Sequence, residues 1–299
     1  MQGKIIVGIG AGFASVVIGV GWQIATRAGV TSSLEPTDLA LLRYGVPTLI
    51  LAPIWLRAGL LPAGVSRLLL FFMVLGAGAC FGLVGMAGAQ FAPAAHMGAL
   101  LPATMPVFVG VMAWVFLKES LSKARLMGFV LVAIGVAAIA LPALSLGSGA
   151  WRGDLLFLGA SMLWSIYTVA YRKSGLSPWV SSAVISAWSF PIALIAWLVL
   201  GSGKLLTAPL PDIALQFLWQ GLLAGVGGLA TFALAVRNLG AGAAAAFGAL
   251  VPVAAALAGW AILGERLEPW VVFGVIVTSC GVALVALNRF QLPGLRYNL

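Results

Sequence analysis

The chain has 299 residues, 62% of them hydrophobic and only 8% charged, with a mean hydropathy of +1.13. A water-soluble domain of this size needs far more charge to cover its surface, whereas a bilayer favours an apolar exterior. The formal net charge of +9 comes from basic residues between the apolar runs. No basic run is interleaved with exposed aromatics, so no nucleic-acid partner is expected.

Charges and Pro/Gly clusters cut the sequence into runs of about 20 apolar residues, the length a helix needs to cross hydrocarbon. The runs predict an all-α membrane protein with ten transmembrane helices, at 5–26, 39–56, 68–89, 94–117, 126–144, 155–171, 180–200, 214–236, 241–263 and 270–288. The first run has only Lys4 ahead of it and no small-residue cleavage site behind it, so it reads as a retained span. Leu68 to Leu117 carries no charge except on His96. One helix of that length would measure about 75 Å, so Gln90-Phe91-Ala92-Pro93 is the expected turn. Cys80 and Cys280 each fall inside an apolar run and read as small buried hydrophobes rather than a disulfide or metal pair.

Orientation follows from the basic residues. With the N-terminus inside, Lys4, Arg57, Arg67, Lys118, Lys123, Arg125, Arg172, Lys173, Arg237, Arg289 and Arg296 lie on the inner side. Arg27, Arg43, Arg152, Lys204 and Arg266 lie outside, so the positive-inside rule places both termini in the cytoplasm of a multi-pass inner (plasma) membrane protein.

Comparing the chain with itself shows an internal repeat. At one constant offset Pro106, Trp114, Glu119, Gly128 and Gly135 match Pro252, Trp260, Glu265, Gly274 and Gly281. The halves are 1–146 and 147–299, each with five spans. Because five is odd, the second enters from the opposite side, which is the inverted-topology plan of secondary carriers.

These residues resemble a known family. Pro106-Val107, Trp114, Leu117-Lys118-Glu119-Ser120-Leu121, Gly128 and Gly135-Val136, with their second copy through Pro252, Glu265, Gly274 and Gly281, look like the EamA-type repeat of the drug/metabolite transporter superfamily. Trp22 with Arg27, Pro36 with Arg43, and Trp164 with Arg172-Lys173 resemble the starts of its two copies. The resemblance implies a basket of ten helices, with a cavity lined by the third, fourth, eighth and ninth, and also the first and sixth. YddG-like amino-acid exporters are the nearest subtype it suggests, while other relatives carry sugar phosphates, nucleotide sugars or drugs. The acid that small four-helix relatives carry in their first helix is missing from Ile5 to Thr26.

The polar inventory of the spans is short. The seven acids read as lying in or beside loops, which argues against carboxylate-based proton coupling. No catalytic, metal or cofactor set is present in the sequence, so an enzyme is not expected. His96, Trp164, Trp22, Gln23, Tyr167 and Ser165 are the candidate substrate-binding residues, each with an alternative as a capped histidine, belt aromatic or packing residue. Pro102, Pro106 and Pro252 remove backbone donors in the fourth and ninth spans and are candidate hinges. Arg43 is expected to pair with Asp38 or Glu35, with snorkelling to the interface and steering of an anion as its alternatives. Gly78-x-x-x-Gly82 and Gly221-x-x-x-Gly225 suit close packing of the third and eighth spans. The expected function is a secondary transporter that exports small neutral metabolites, amino acids first, as a monomer or homodimer in a lipid bilayer. The alternatives are a carrier of another metabolite class and a non-transport membrane scaffold or enzyme.

Overall fold

The computed structural model describes residues 2–118, 120–145, 147 and 149–287. Glu119 of the repeat, and Arg289 and Arg296 of the basic tally, lie outside the described residues. The helices are α1 (Gln2–Thr31), α2 (Pro36–Ile50), α3 (Ala52–Ala58), α4 (Arg67–Ala77), α5 (Ala79–Phe91), α6 (Ala94–Leu117) and α7 (Lys123–Ser145). They continue with α8 (Ala150–Ser174), α9 (Pro178–Leu200), α10 (Leu210–Gln216), α11 (Gly228–Leu239), α12 (Ala241–Ala246), α13 (Val251–Leu263) and α14 (Pro269–Leu287). Among the described residues eight helices are long and apolar enough to cross a membrane, or nine when α2 and α3, which meet at 70°, form one span. The run at 241–263 is present in pieces: α12, a 3-10 turn Phe247–Leu250 and α13.

Each break has a local cause. Pro47 inside α2 and Pro53 at the start of α3 remove helix donors on either side of the bend. The third run breaks at Gly78, whose extended backbone caps α4 and opens α5. The Tyr44 hydroxyl lies against the carbonyls of Gly78 and Ala77, at 2.5 and 3.2 Å, and so pins α2 to the break. In the other half α10 and α11 are joined by a π-helical stretch, Phe217–Gly227, that occupies the equivalent level. Wide π turns are rare and concentrate at functional places in helices.

Packing between the halves is reciprocal. α1 lies along α11, and α4 and α5 lie along α8; α2 packs on α9, α6 on α13 and α7 on α14. Exchanging the halves turns the first pairing into the second and maps the other three onto themselves, as a two-fold relation between repeats requires. The outer surface is apolar: Phe116, Leu155, Leu198, Val199 and Leu200 are all exposed. Such a surface is tolerable only against hydrocarbon. Cys280 belongs to this exposed face of α14 rather than to the interior expected for it, and Cys80 is half-buried.

Candidate substrate cavity and its polar contacts

The centre of the bundle holds a ladder of aromatic rings. Trp22 of α1 stacks on Phe81 of α5 at 6.2 Å, and Phe81 meets Trp164 of α8 at 4.9 Å. Trp164 in turn touches Tyr167 at 5.2 Å, and Tyr167 stacks on Tyr171 at 5.5 Å. Trp22 is only 7% exposed, so it is not part of an interfacial belt. The ladder brings together Trp22, Trp164 and Tyr167 and adds Phe81.

Trp22 is also the end of a buried polar chain. Its Nε1 donates to Gln220 Oε1 at 2.7 Å, and Gln220 Nε2 donates to Thr26 Oγ1 at 2.9 Å and to Gln216 Oε1 at 3.1 Å. Gln216 Nε2 closes the chain on the carbonyl of Ala25 at 2.6 Å. Gly21 lets the Trp219 ring lie directly on the α1 backbone, where a methyl group would collide with it. A buried amide needs its partners, so these bonds fix how α1 sits on the α10–α11 span.

The remaining candidates fall elsewhere. Gln23 is buried with its Oε1 beside Gly98, and that oxygen has no hydrogen-bond partner. Ser165 donates to Ser161 O at 2.7 Å and reaches Met105 O at 3.3 Å, which makes it a joint between α8 and α6. Thr104 completes that joint by donating to Ser161 Oγ at 2.7 Å. Pro102 and Pro106 sit inside α6, which continues through both. Pro252 stands at the start of α13 directly after the 3-10 turn, where a missing amide donor costs little.

His96 does not cap the Gln90 turn. Its Nδ1 lies 2.8 Å from Asp154 Oδ1, and both side chains are buried. Asp154 therefore belongs to the interior of α8 and not to a loop, which corrects the expectation that every acid stays outside the spans; its Oδ2 has no partner. Asp38 is likewise fully buried.

Arg43 is the second correction. It pairs with neither Asp38 nor Glu35. Asp38 folds back to accept from the Glu35 amide at 2.8 Å and from Trp197 Nε1 at 2.7 Å, while Glu35 meets Lys204 at 3.1 Å. The Arg43 guanidinium instead sits over the Trp22 ring, 4.8 Å from its centroid, with Nη1 buried and without a hydrogen-bond partner.

A further set of polar contacts lies at the end of the bundle where α1 finishes. Arg27 Nε meets Glu265 Oε1 at 2.9 Å and Arg27 Nη1 donates to Ala89 O at 2.5 Å, while Glu265 Oε2 accepts from the Ala94 amide at 2.8 Å. Ser33 donates to Asp212 at 2.6 Å, and Ser202 donates to Glu35 at 2.8 Å. With His96–Asp154 and Asp38–Trp197, all of these except Arg27–Ala89, which stays within the first half, join first-half residues to second-half residues at one end. Sequence reasoning missed Phe81, the burial of Asp154 and the Gln216–Gln220 pair. Only the last left a plain signal, two amides one helical turn apart in an apolar run.

Comparison with known proteins agrees with this architecture. The EamA-like transporter family model matches residues 5–141 and 151–287. The chain is 28% identical over 295 residues to the uncharacterized inner membrane transporter YedA of Escherichia coli K12, covering 95% of this chain and 92% of that protein. It is 24% identical over 284 residues to an uncharacterized transporter of Archaeoglobus fulgidus, covering 93% and 96%. A solved crystal structure of a protein aligns with a TM-score of 0.59 at 16% identity, over 95% of this chain and 96% of that one, and so shares the fold. A two-repeat all-helical bundle with an apolar exterior, matched in both halves, belongs to the EamA-like transporter family, and the chain is a membrane transporter of the drug/metabolite transporter superfamily.

Proposed function

We propose that the chain is a ten-span secondary carrier that exports small, largely neutral metabolites, amino acids first, from the cytoplasm across the inner (plasma) membrane. The observation that carries this reading is the ring ladder from Trp22 to Tyr167, which spans helices of both halves at the centre of the bundle. Aromatic faces take an apolar side chain and also attract an ammonium group. In this reading both termini are cytoplasmic, the face joined by Arg27–Glu265 is external, and the two halves rock to expose the ladder to each side in turn. Pro106, Pro102 and Pro252 serve as the yielding points of the two spans that cross beside it.

Purified protein in liposomes preloaded with one unlabelled amino acid tests the reading. A labelled amino acid from the panel should accumulate by exchange, saturably, and a Trp164→Ala variant should lose most of the rate. Flat traces for every amino acid would remove amino acids as the cargo.

A further inference from the structure

We propose that Arg43 is the carboxylate-recognition residue of the aromatic ladder, and that the cargo is a small carboxylate with an apolar or aromatic body. The inference rests on the carrier reading above and names the chemical handle by which that site holds its cargo.

A guanidinium placed among helices of a membrane protein needs a counter-charge or a full set of acceptors. Arg43 has little of either. The nearby acids are committed: Asp38 to Glu35, Trp197 and Leu205, and Glu35 to Ser202 and Lys204. Among the described residues no ion pair is formed by Arg43, and its Nη1 is buried with no acceptor. The Tyr44 hydroxyl is within bonding reach, but that hydroxyl already lies against the Gly78 and Ala77 carbonyls.

What Arg43 does have is the Trp22 ring, one step from Phe81 and two from Trp164. A guanidinium held over a ring still has N–H groups to offer an acceptor, and arginine uses a pair of them to fork a carboxylate. The cation therefore borders the aromatic ladder with an unmet donor. A carboxylate bound there satisfies the donor and neutralises the charge, while the body of the molecule lies along the rings. A single cation suits a monoanionic carboxylate, whereas a phosphate dianion calls for more positive charge than this.

The test uses the purified full chain in liposomes, with competition against a labelled amino acid and against a labelled amine-free aromatic carboxylate. Competitors are the free acids, their primary amides, the decarboxylated amines and inorganic phosphate. Free acids should compete, and amides, amines and phosphate should not. Arg43→Gln should raise the KM for the acids by roughly 10- to 100-fold, the loss expected for a charge-assisted pair. It should also erase the preference of acid over amide, and Arg43→Lys should recover part of both. The wild-type acid-to-amide preference needs no variant, so it decides the matter even if Arg43→Gln fails to fold. Equal competition by acids and amides, or competition by phosphate, would overturn the proposal. Uptake of the amine-free carboxylate with no amino-acid exchange would sink the amino-acid reading and leave the carboxylate site standing. Amino-acid exchange indifferent to the carboxylate would do the reverse.

Discussion

Gly135 and Gly274 meet backbone to backbone: a Cβ built on either would stand 2.6 Å from the carbonyl oxygen of the other. Gly128 and Gly281 do the same one helical stretch away, at 2.9 and 2.8 Å. Gly128 corresponds to Gly274 in the repeat and Gly135 to Gly281, so exchanging the halves turns one contact into the other. That crossed pattern is the signature of a two-fold axis running between α7 and α14. It lets the two backbones approach where no apolar driving force separates protein from lipid.

Gly135→Ala should therefore force the seam apart. The obstructing atoms are a backbone carbonyl and the Thr278 side chain and amide, none of which can swing away freely. The cost should be about 1–3 kcal/mol, as for overpacked cores, read as a lower melting temperature in detergent. Gly19→Ala, with nothing within 4 Å of its built Cβ, is the control and should melt like the wild type.

The Arg27–Glu265 contact should hold one end of the bundle shut. Glu265→Gln keeps the shape but removes the charge that faces Arg27 and the Ala94 amide. A Met97→Cys probe, fully buried in the wild type, should then react with a membrane-impermeant thiol reagent several-fold faster, in a background without Cys80 and Cys280. Unchanged labelling would reduce the pair to loop decoration.

The His96–Asp154 pair should behave as a unit. Replacing Asp154 by Ala leaves the imidazole buried against nothing, and stability should fall by about 3 kcal/mol. Replacing both by Leu should cost less than the two single changes added together, because neither half is then left unsatisfied. Strict additivity in the melting data would show that the two side chains act separately.

Acid should loosen the contact around Glu35. Burial pushes its carboxyl upward, but the Ser202 hydroxyl and amide and the Lys204 ammonium outweigh it and hold it below the ordinary 4.5. The folded chain thus binds fewer protons than the unfolded chain in that range. The stabilisation is fully present above the ordinary value and is lost as pH falls through the lowered one. Melting temperatures of wild type and Glu35→Gln should differ by a constant amount at neutral pH and converge in acid.

Much of this was legible in the sequence because it is periodic or repeated. The span runs come from hydropathy alone, and Gly128, Gly135, Gly274 and Gly281 announce themselves by their common offset. What failed was whatever depends on a partner in another helix. Asp154 sits beside a loop in the sequence, yet α8 begins early enough to bury it against His96. Arg43 stands near two acids along the chain, but the start of α2 turns Asp38 back on the Glu35 amide and toward Trp197. Phe81 looks like any apolar residue until Trp22 and Trp164 close on it from either side. The π-helical stretch Phe217–Gly227 left no mark in an apolar run rich in glycine.

The α7–α14 seam has a bearing on the history and assembly of the chain. Contacts that cross over in this way are what two identical, separate subunits form when they meet antiparallel across a symmetric interface. The seam thus has the form of a dimer interface held within one chain. A gene split between the two matched halves should give fragments that find each other in the bilayer through Gly128–Gly281 and Gly135–Gly274. Either half expressed alone retains one side of a surface built to meet its own kind.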